Sequence, residues 1–329
     1  MLQSKLESME KKMEQTGSVL VQQLLLEIKK VMKGKDEVIL KIIMAILASG
    51  HVLLEDNPGL GKTTVAKALS KAMSLDVNRI QFTPDTMPSD IVGYSIFDNK
   101  SGQMNYKKGP VFTNILLADE INRTSSKTQA ALLEAMAEGT VSTDEGTERL
   151  PNPFITIATQ NPITSGGTQA LPDSQLDRFM VKLSMGYPDV SSQIEMLMED
   201  NGTDPMETIC PVVDKAQLVE LRDTVARVSL SYGIADYMSR LIDATRTHRY
   251  IACGISPRGA KAFANMAKAS AFLNDRQFVV PDDIYAVIYD VFAHRLVLTM
   301  EAKREKVSPA GLINEIISTV PAPSIVGRP

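Results

Sequence analysis

The sequence is poor in aromatic residues and has no tryptophan. Aromatic side chains make up 5% of its 329 residues. Proteins that bind single-stranded nucleic acid stack the bases on such side chains. The formal net charge of −4 also supplies no overall positive field for a phosphate backbone. The composition therefore argues against constitutive nucleic-acid binding.

Cysteine and histidine are almost as scarce. The two cysteines are Cys210 and Cys253, and the three histidines are His51, His248 and His294. No two of these residues have the spacing of zinc ligands, so we expect no zinc-type metal site. A disulfide between the cysteines is possible in principle, but a reduced pair of buried thiols in the cytosol is the favoured interpretation.

Long hydrophobic runs are missing as well. The longest apolar stretch, Ile42–Leu54, is interrupted by Ser49, Gly50 and His51 and is too short to cross a bilayer. The segment Met1–Gln15 is rich in Lys and Glu and has no apolar centre, so it does not have the pattern of a signal peptide. We predict a cytoplasmic protein that is not an integral membrane protein.

The first half of the chain alternates between strand and helix patterns. Helical periodicity covers Val19–Ser49 with a break at Gly34, and it recurs in Thr63–Met73 and Lys127–Glu138. Strands are predicted at His51–Glu55, Arg79–Thr83, Asn114–Ala118, Phe154–Thr159 and Met180–Leu183. Such alternation predicts an α/β fold with a mostly parallel sheet and helices on both faces. A β-hairpin is predicted within Thr140–Pro153, around an Asp-Glu-Gly turn.

After Gly186-Tyr187-Pro188 the strand signals stop. Helices are predicted at Ser191–Met198, Lys215–Val228, Ile234–Thr247, Pro257–Leu273 and Asp282–Leu298. The chain thus divides into an amphipathic N-terminal helix at residues 1–18, an α/β domain at 19–187, and a smaller all-helical domain at 188–329.

The most specific chemical signal is the sequence Pro-Gly-Leu-Gly-Lys-Thr between a strand and a helix. Glycines let consecutive backbone N–H groups point at phosphate oxygens, and the start of the helix adds a partial positive charge. Lys62 would bridge the β- and γ-phosphates, and the Thr63 hydroxyl would hold Mg²⁺. The predicted nucleotide contacts are Asn57, Pro58, Gly59, Leu60, Gly61, Lys62, Thr63 and Thr64. The usual pattern has glycine six residues before the lysine, and Asp56 stands there instead.

An acidic motif further along the chain completes the predicted site. Ile-Leu-Leu-Ala is a buried strand pattern that ends in Asp119 and Glu120. A strand beside the phosphate loop would direct Asp119 towards the Mg²⁺ waters and leave Glu120 to polarise the attacking water. Two adjacent acids favour hydrolysis of the nucleotide over transfer to a small acceptor, because a kinase has no need of a water-activating Glu.

Many ordered motifs resemble those of the MoxR-type AAA+ ATPases, over residues 19–323. They are Gln81–Asp85, Pro88–Ile91, Asp119–Arg123, Lys127–Gln129, Leu132–Met136, Ala158–Pro162, Leu171–Pro172, Gln175–Phe179, Ser256–Arg258 and Ala293–Arg295. Asp56 also looks like this family, in which Leu-Glu-Asp commonly precedes the loop. The resemblance implies a P-loop AAA+ αβα sandwich with a helical lid domain, and ATP with Mg²⁺ as the bound nucleotide and metal.

The resemblance also implies roles for single residues. Asn161 looks like sensor 1, which contacts the γ-phosphate or orients water. Arg178 looks like an arginine finger for the nucleotide of a neighbouring subunit, and Arg258 looks like sensor 2, which couples the nucleotide to the lid. Val31 and Met32 lie where the family contacts adenine, although the glutamine usual after Gly34 is replaced by lysine in this sequence.

Three functions remain open at this stage. The first is an ATP-hydrolysing motor with a chaperone-like role, assembled into a ring, expected to be a hexamer, that remodels, matures or loads cofactor into partner proteins. In this family the partners often carry von Willebrand factor A domains, and residues 93–113 and 140–153 are candidate client-contacting inserts. The second is a nucleic-acid motor with a local basic pore at Lys100, Lys107 and Lys108. The third is an ATP-gated scaffold with little turnover.

Overall fold

A computed structural model describes residues 17–57, 59–99, 102–143, 146–162, 170–198 and 204–323. Several predictions fall wholly or partly outside these residues. They concern the N-terminal helix up to residue 16, Pro58 of the phosphate loop, Lys100, and the Asp144 and Glu145 positions of the hairpin turn.

The described strands follow the predicted alternation closely. They are β1 (Val52–Glu55), β2 (Val77–Gln81), β3 (Gly93–Asp98), β4 (Gln103–Lys108), β5 (Ile115–Asp119), β6 (Thr140–Thr143), β7 (Gly146–Arg149), β8 (Ile155–Gln160), β9 (Val181–Leu183), β10 (Ile251–Cys253) and β11 (Val297–Leu298). Five of them form one parallel sheet in the order β2-β5-β8-β1-β9. Strands β5 and β8 are buried along their whole length, as expected for a parallel sheet covered on both faces.

The helices of the first part of the chain cover this sheet, and the later helices form the lid. They are α1 (described residues 17–29), α2 (Asp36–Leu47), α3 (Lys62–Ala72), α4 (Pro88–Val92), α5 (Ser126–Glu138), α6 (Asp173–Leu176), α7 (Val190–Met198), α8 (Lys215–Arg227), α9 (Tyr232–Thr247), α10 (Pro257–Leu273), α11 (Pro281–Phe292), α12 (Met300–Arg304) and α13 (Pro309–Thr319). Short 3₁₀ helices cover Ile121–Arg123 and Pro205–Thr208. The predicted α/β fold with a helical lid is confirmed.

Alternate residues of the strands serve two different cores. Leu53 of β1 and Leu116 of β5 face α5, together with Leu132 and Leu133 of that helix. Val52 and Leu54 face the opposite side, where α1, α2 and α3 pack. The second core also contains Phe263, Phe292 and other side chains of the lid helices. This second core is therefore shared by the sheet and the lid helices.

The lid departs from the prediction at its C-terminal half. The predicted helix Asp282–Leu298 is wrong beyond Phe292, because α11 ends there and Val297–Leu298 pairs antiparallel with β10. The chain therefore forms strands after residue 188 as well, although only helices were predicted there. The turn between α11 and β11 holds the buried Arg295, whose guanidinium bonds backbone carbonyls of the sheet domain. Helices α12 and α13 were not predicted.

Two antiparallel hairpins extend from the sheet domain. Strands β6 and β7 pair from Thr140↔Arg149 to Thr143↔Gly146, which confirms the predicted hairpin. Strands β3 and β4 form a second hairpin within residues 93–113, where the sequence indicated an insert but no strand. A salt bridge of 2.5 Å joins Lys108 Nζ of β4 to Glu148 Oε2 of β7.

The expectation of buried thiols is wrong. Cys210 and Cys253 are both free and both exposed. Cys210 follows a 3₁₀ turn in the connection to α8, and Cys253 ends the short strand β10, so neither lies in a packed layer. Among the described helices, none combines the length and the apolar character that a bilayer crossing requires.

Replacing Phe263 tests the shared core. Phe263 and Phe292 are fully buried with ring centroids 4.6 Å apart. The Phe263→Ala variant should lower the free energy of unfolding by about 3–5 kcal/mol, because it leaves a cavity. Urea denaturation followed by circular dichroism measures this change. Phe278→Ala is the matched control, since Phe278 is 54% exposed and should change stability by less than about 0.5 kcal/mol. Equal effects of the two variants would contradict the assignment of Phe263 to the core.

Candidate active site

The phosphate loop leaves β1 and enters α3 through two left-handed glycines. Gly59 and Gly61 have φ of 87° and 85°, a conformation that glycine adopts at little cost. Gly61 is the N-cap of α3, so the first N–H groups of the helix are available to an anion. A Cβ atom at Gly61 would lie 3.0 Å from Cε of Met32. Met32 is buried against the loop, and Val31 packs beside it against the same core.

Asp56, the departure from the usual loop pattern, ties the loop to the end of β9. Its carboxylate accepts hydrogen bonds from Ser184 Oγ at 2.6 Å and from the backbone N–H groups of Met185 at 2.5 Å and Gly186 at 3.3 Å. Lys35, buried nearby, donates to the Gly186 carbonyl at 2.8 Å. Asp56 therefore fixes the loop between two neighbouring strands, which a glycine could not do.

Lys62 is buried at the start of α3 and points back along the loop. Its Nζ donates to the Asp56 carbonyl at 2.7 Å and to Asn161 Oδ1 at 3.3 Å. Burial lowers the pKa of Lys62, while the nearby Asp56, Asp119 and Glu120 carboxylates act in the opposite direction. A cation with so little solvent around it is strongly stabilised when an anionic ligand binds beside it.

The two acids at the end of β5 point to different partners because the backbone turns sharply between them. Glu120 has φ of 57°, the left-handed region that is unusual for a side chain of this kind. Thr159 of β8 joins the pair: its hydroxyl donates to Asp119 Oδ1 at 2.5 Å and accepts from the Glu120 N–H at 2.9 Å. Asp119 is thus bonded to β8 through Thr159, while the Glu120 side chain turns towards Asn161.

Asn161 links the lysine to the glutamate. Its Nδ2 donates to Glu120 Oε1 at 3.0 Å, and its Oδ1 accepts from Lys62. Asn122 fixes the backbone of Asn161, since its Nδ2 donates to the Asn161 carbonyl at 2.9 Å and its Oδ1 accepts from the Asn161 N–H at 3.4 Å. Sequence reasoning missed Asn122, although it lies within the Asp119–Arg123 motif.

Two arginines flank the acids. Arg123, which the sequence analysis left without a role, forms a 2.9 Å ion pair with Glu120 Oε2. Arg79 of β2 donates to Asp119 Oδ2 at 2.8 Å. Arg79 was missed because the pairing of β2 with β5, which aligns Gln81 with Asp119, cannot be read from a single segment of sequence.

The oxygen donors at this edge suit Mg²⁺. The Thr63 hydroxyl makes no hydrogen bond to any of the described residues, and the Asp119 carboxylate is close enough to the neighbouring Lys62 to affect its pKa. In the described part of the chain, no three His, Cys, Asp or Glu side chains cluster as a metal site would require. Mg²⁺ is commonly held by one or two protein oxygens together with substrate phosphates and water, so a donor set this small fits it.

Arg178 and Arg258 lie together but at the opposite end of the sheet. Both line a small cavity with His51, Met136 and Ala137, and Arg178 Nη1 donates to the Leu133 carbonyl at 2.8 Å. His51 and Arg178 precede the parallel strands β1 and β9, whereas the phosphate loop follows β1. The two arginines are therefore not brought to Lys62 of the same chain.

The fold and the loop define the class of protein. A parallel sheet with a glycine loop entering a helix, and with acids and an amide after the neighbouring strands, is the arrangement of a P-loop nucleotide-binding protein. The family model described as "ATPase family associated with various cellular activities (AAA)" matches residues 51–181, and that of the AAA lid domain matches residues 243–316.

Similar proteins narrow the class to one family. The chain is 45% identical over 296 residues to the uncharacterised protein YeaC of Bacillus subtilis, covering 90% of this chain and 92% of that one. It is 36% identical over 312 residues to Chaperone MoxR1 of Mycobacterium tuberculosis, covering 92% of this chain and 82% of that one. A crystal structure from Cytophaga hutchinsonii, assigned as an ATPase, superposes with a TM-score of 0.89 at 38% identity, covering 97% and 99% of the two chains. The chain belongs to the MoxR-type AAA+ ATPases, and its enzymatic activity is ATP hydrolysis.

Replacing Asp56 tests its role as a tie between strands. The Asp56→Ala variant should lower the free energy of unfolding by about 3 kcal/mol, since each buried donor left without a partner costs about 1–3 kcal/mol. Thermal or urea denaturation checks the change. Asp85→Ala, at an exposed aspartate without a hydrogen bond to any described residue, is the control and should be nearly neutral. If both variants are equally stable, the Asp56 bonds do not hold the loop.

Proposed function

We propose that Lys62, Asn161 and Glu120 form the hydrolytic centre of an ATP-driven remodelling motor. The observation that carries this proposal is the Asn161 amide, which bonds the lysine on one side and the glutamate on the other. Lys62 would neutralise charge on the β- and γ-phosphates. Glu120 would accept a proton from the attacking water, and Asn161 would hold the glutamate in line with the phosphate.

The loop and the acids would together hold the nucleotide. The backbone of Asn57–Thr64 would surround the phosphates, and Val31 with Met32 would contact adenine through the apolar surface beside Gly61. Thr63 and Asp119 would hold Mg²⁺, the latter through water, and the metal would supply positive charge to the phosphate oxygens. Thr159 and Arg79 keep the Asp119 carboxylate aimed at this edge.

The chain would act as part of a ring, which we propose to be a hexamer. Arg178 and Arg258 would complete the active site of the neighbouring subunit, where their charge would stabilise the transferring phosphoryl group. Two features support this role. The pair lies at the opposite sheet end from the phosphate loop, and among the described residues neither guanidinium forms an ion pair.

The work of the ring would be done on partner proteins in the cytoplasm, in a chaperone-like role. The β3–β4 hairpin exposes Ile96, Phe97 and Met104, which is apolar surface suited to polypeptide. Lys108 is already paired with Glu148, which lowers the positive charge that this hairpin offers to nucleic acid. A relative carries the name Chaperone MoxR1. The proposed clients include von Willebrand factor A domain proteins, and the proposed work is their remodelling, maturation or cofactor loading.

Replacing Glu120 separates binding from hydrolysis. The Glu120→Gln variant should bind ATP as the wild type does and lose turnover by about 10²–10⁴-fold, because the amide cannot accept the proton of water. Phosphate release and equilibrium binding of labelled ATP measure the two properties. Glu138→Gln, at an exposed glutamate of α5, serves as the control. Hydrolysis by Glu120→Gln at the wild-type rate would overturn the catalytic assignment.

Mixing two inactive variants tests the action between subunits. Lys62→Ala should abolish nucleotide binding, and Arg178→Ala should lower turnover by about 10³-fold or more, as removal of an arginine finger does. Mixed rings should recover activity wherever a subunit of the Arg178→Ala variant, whose nucleotide site is intact, lies beside a subunit of the Lys62→Ala variant, whose Arg178 is intact. Arg249→Ala, at an arginine that stacks on the ring of Tyr250 and does not line the cavity of Arg178 and Arg258, replaces Arg178→Ala in the control mixture. Absence of any recovery in mixed rings would show that Arg178 does not act on a neighbour.

A further inference from the structure

A polar cluster joins the segment before Arg178 to the first turn of α10, which carries Arg258. Ser256 is the N-cap of α10, and its Oγ accepts from the Gly259 N–H at 3.0 Å. The same hydroxyl lies 2.9 and 3.0 Å from the two carboxylate oxygens of Asp177 and donates to them. One side chain thus connects the residue next to Arg178 with the first turn of the helix carrying Arg258.

Arg295 closes the cluster from the lid. Its Nε donates to Asp177 Oδ1 at 2.9 Å, and its guanidinium also donates to the carbonyls of Asp177, Phe179 and Met180. The Arg295 side chain is 2% exposed. A buried arginine that uses its planar donors in this way fixes the position of every group it bonds.

Gly259 shows how tightly the cluster is packed. A Cβ atom there would lie 2.9 Å from Cδ and 3.1 Å from Nε of Arg295. The glycine has helical backbone angles, so it is not required by the turn of the chain. Its small size instead allows α10 to lie directly against the Arg295 side chain.

Other contacts hold the lid to the sheet domain along the same side. Lys41 of α2 forms a 2.9 Å ion pair with Asp290 of α11. Arg222 of α8 donates to the Ile46 carbonyl at the end of α2, at 2.8 Å. With the shared hydrophobic core, these contacts oppose movement of the lid against the sheet within one chain.

We propose that Asp177, Ser256 and Arg295 are positioning residues that fix Arg178 and Arg258 as one paired element. The pair is presented to the neighbouring nucleotide as a rigid unit. This inference rests on the proposed action of both arginines on a neighbouring subunit. None of the three positioning residues touches the nucleotide.

The test measures ATP turnover, ATP affinity and melting temperature for variants of the assembled protein. Asp177→Asn should lower kcat by about 100-fold, the scale of a catalytic group displaced by about 1 Å. Ser256→Ala should lower kcat by about tenfold, while Ser256→Thr, which keeps the hydroxyl and the cap, should restore it. ATP affinity should stay unchanged in all three variants.

Two controls separate positioning from stability. Ser231 caps α9 of the same lid through its Oγ but lies outside the cluster, so Ser231→Ala should keep wild-type kcat. In a background that carries both Arg178→Ala and Arg258→Ala, Asp177→Asn should cause no further loss, because no arginine of the pair is left to position.

The outcomes distinguish the two proposals. If Arg178→Ala and Arg258→Ala keep wild-type turnover, the proposed action on a neighbour fails, and this inference fails with it. If those variants lose turnover but Asp177→Asn and Ser256→Ala keep it, the positioning role alone is overturned. A loss by Ser231→Ala equal to that by Ser256→Ala, or a further loss in the background that lacks both arginines, would likewise overturn it.

Discussion

Parallel pairing of β1, β5, β8 and β9 is the constraint on which the whole site depends. Glu55 lies beside Gln160, and Ala118 lies beside Ala158, so the residues after these strands meet at one edge of the sheet. The phosphate loop, the two acids and Asn161 come together for this reason alone. The same pairing puts Arg178, which precedes β9, at the other end. In the proposed ring, one chain would therefore contribute residues to two composite sites.

The sequence predicted the parts of this arrangement that depend on local pattern. Strands β5 and β8 are continuous apolar runs, and the glycines of the loop follow directly from the need for left-handed backbone. The lid helix α10 was predicted over Pro257–Leu273, where Ser256 and Pro257 mark its start and the structure places it. These features are coded by neighbouring residues and need no tertiary information.

The features that could not be predicted from the sequence depend on contacts between segments that lie far apart in the chain. The β10–β11 pair joins segments separated by the whole of α10 and α11, and each strand is too short to show periodicity. Asp56 was recognised as a departure from the loop pattern, but its bonds to Ser184 and Met185 require the pairing of β1 with β9. Arg295 was noted in the sequence only as part of the Ala293–Arg295 motif, and only the packed lid shows it to be buried. The roles assigned to the site residues, and the division of the chain near residue 188, stay predictions.

In the proposed ring, ATP hydrolysis requires two chains, although ATP binding requires one. Turnover per subunit as a function of protein concentration, with assembly followed by sedimentation in the same buffer, measures this requirement. Turnover per subunit should rise with assembly and then reach a plateau, while labelled ATP should bind equally well at every concentration. Constant turnover per subunit down to dilute, fully monomeric protein would show that one chain suffices for hydrolysis.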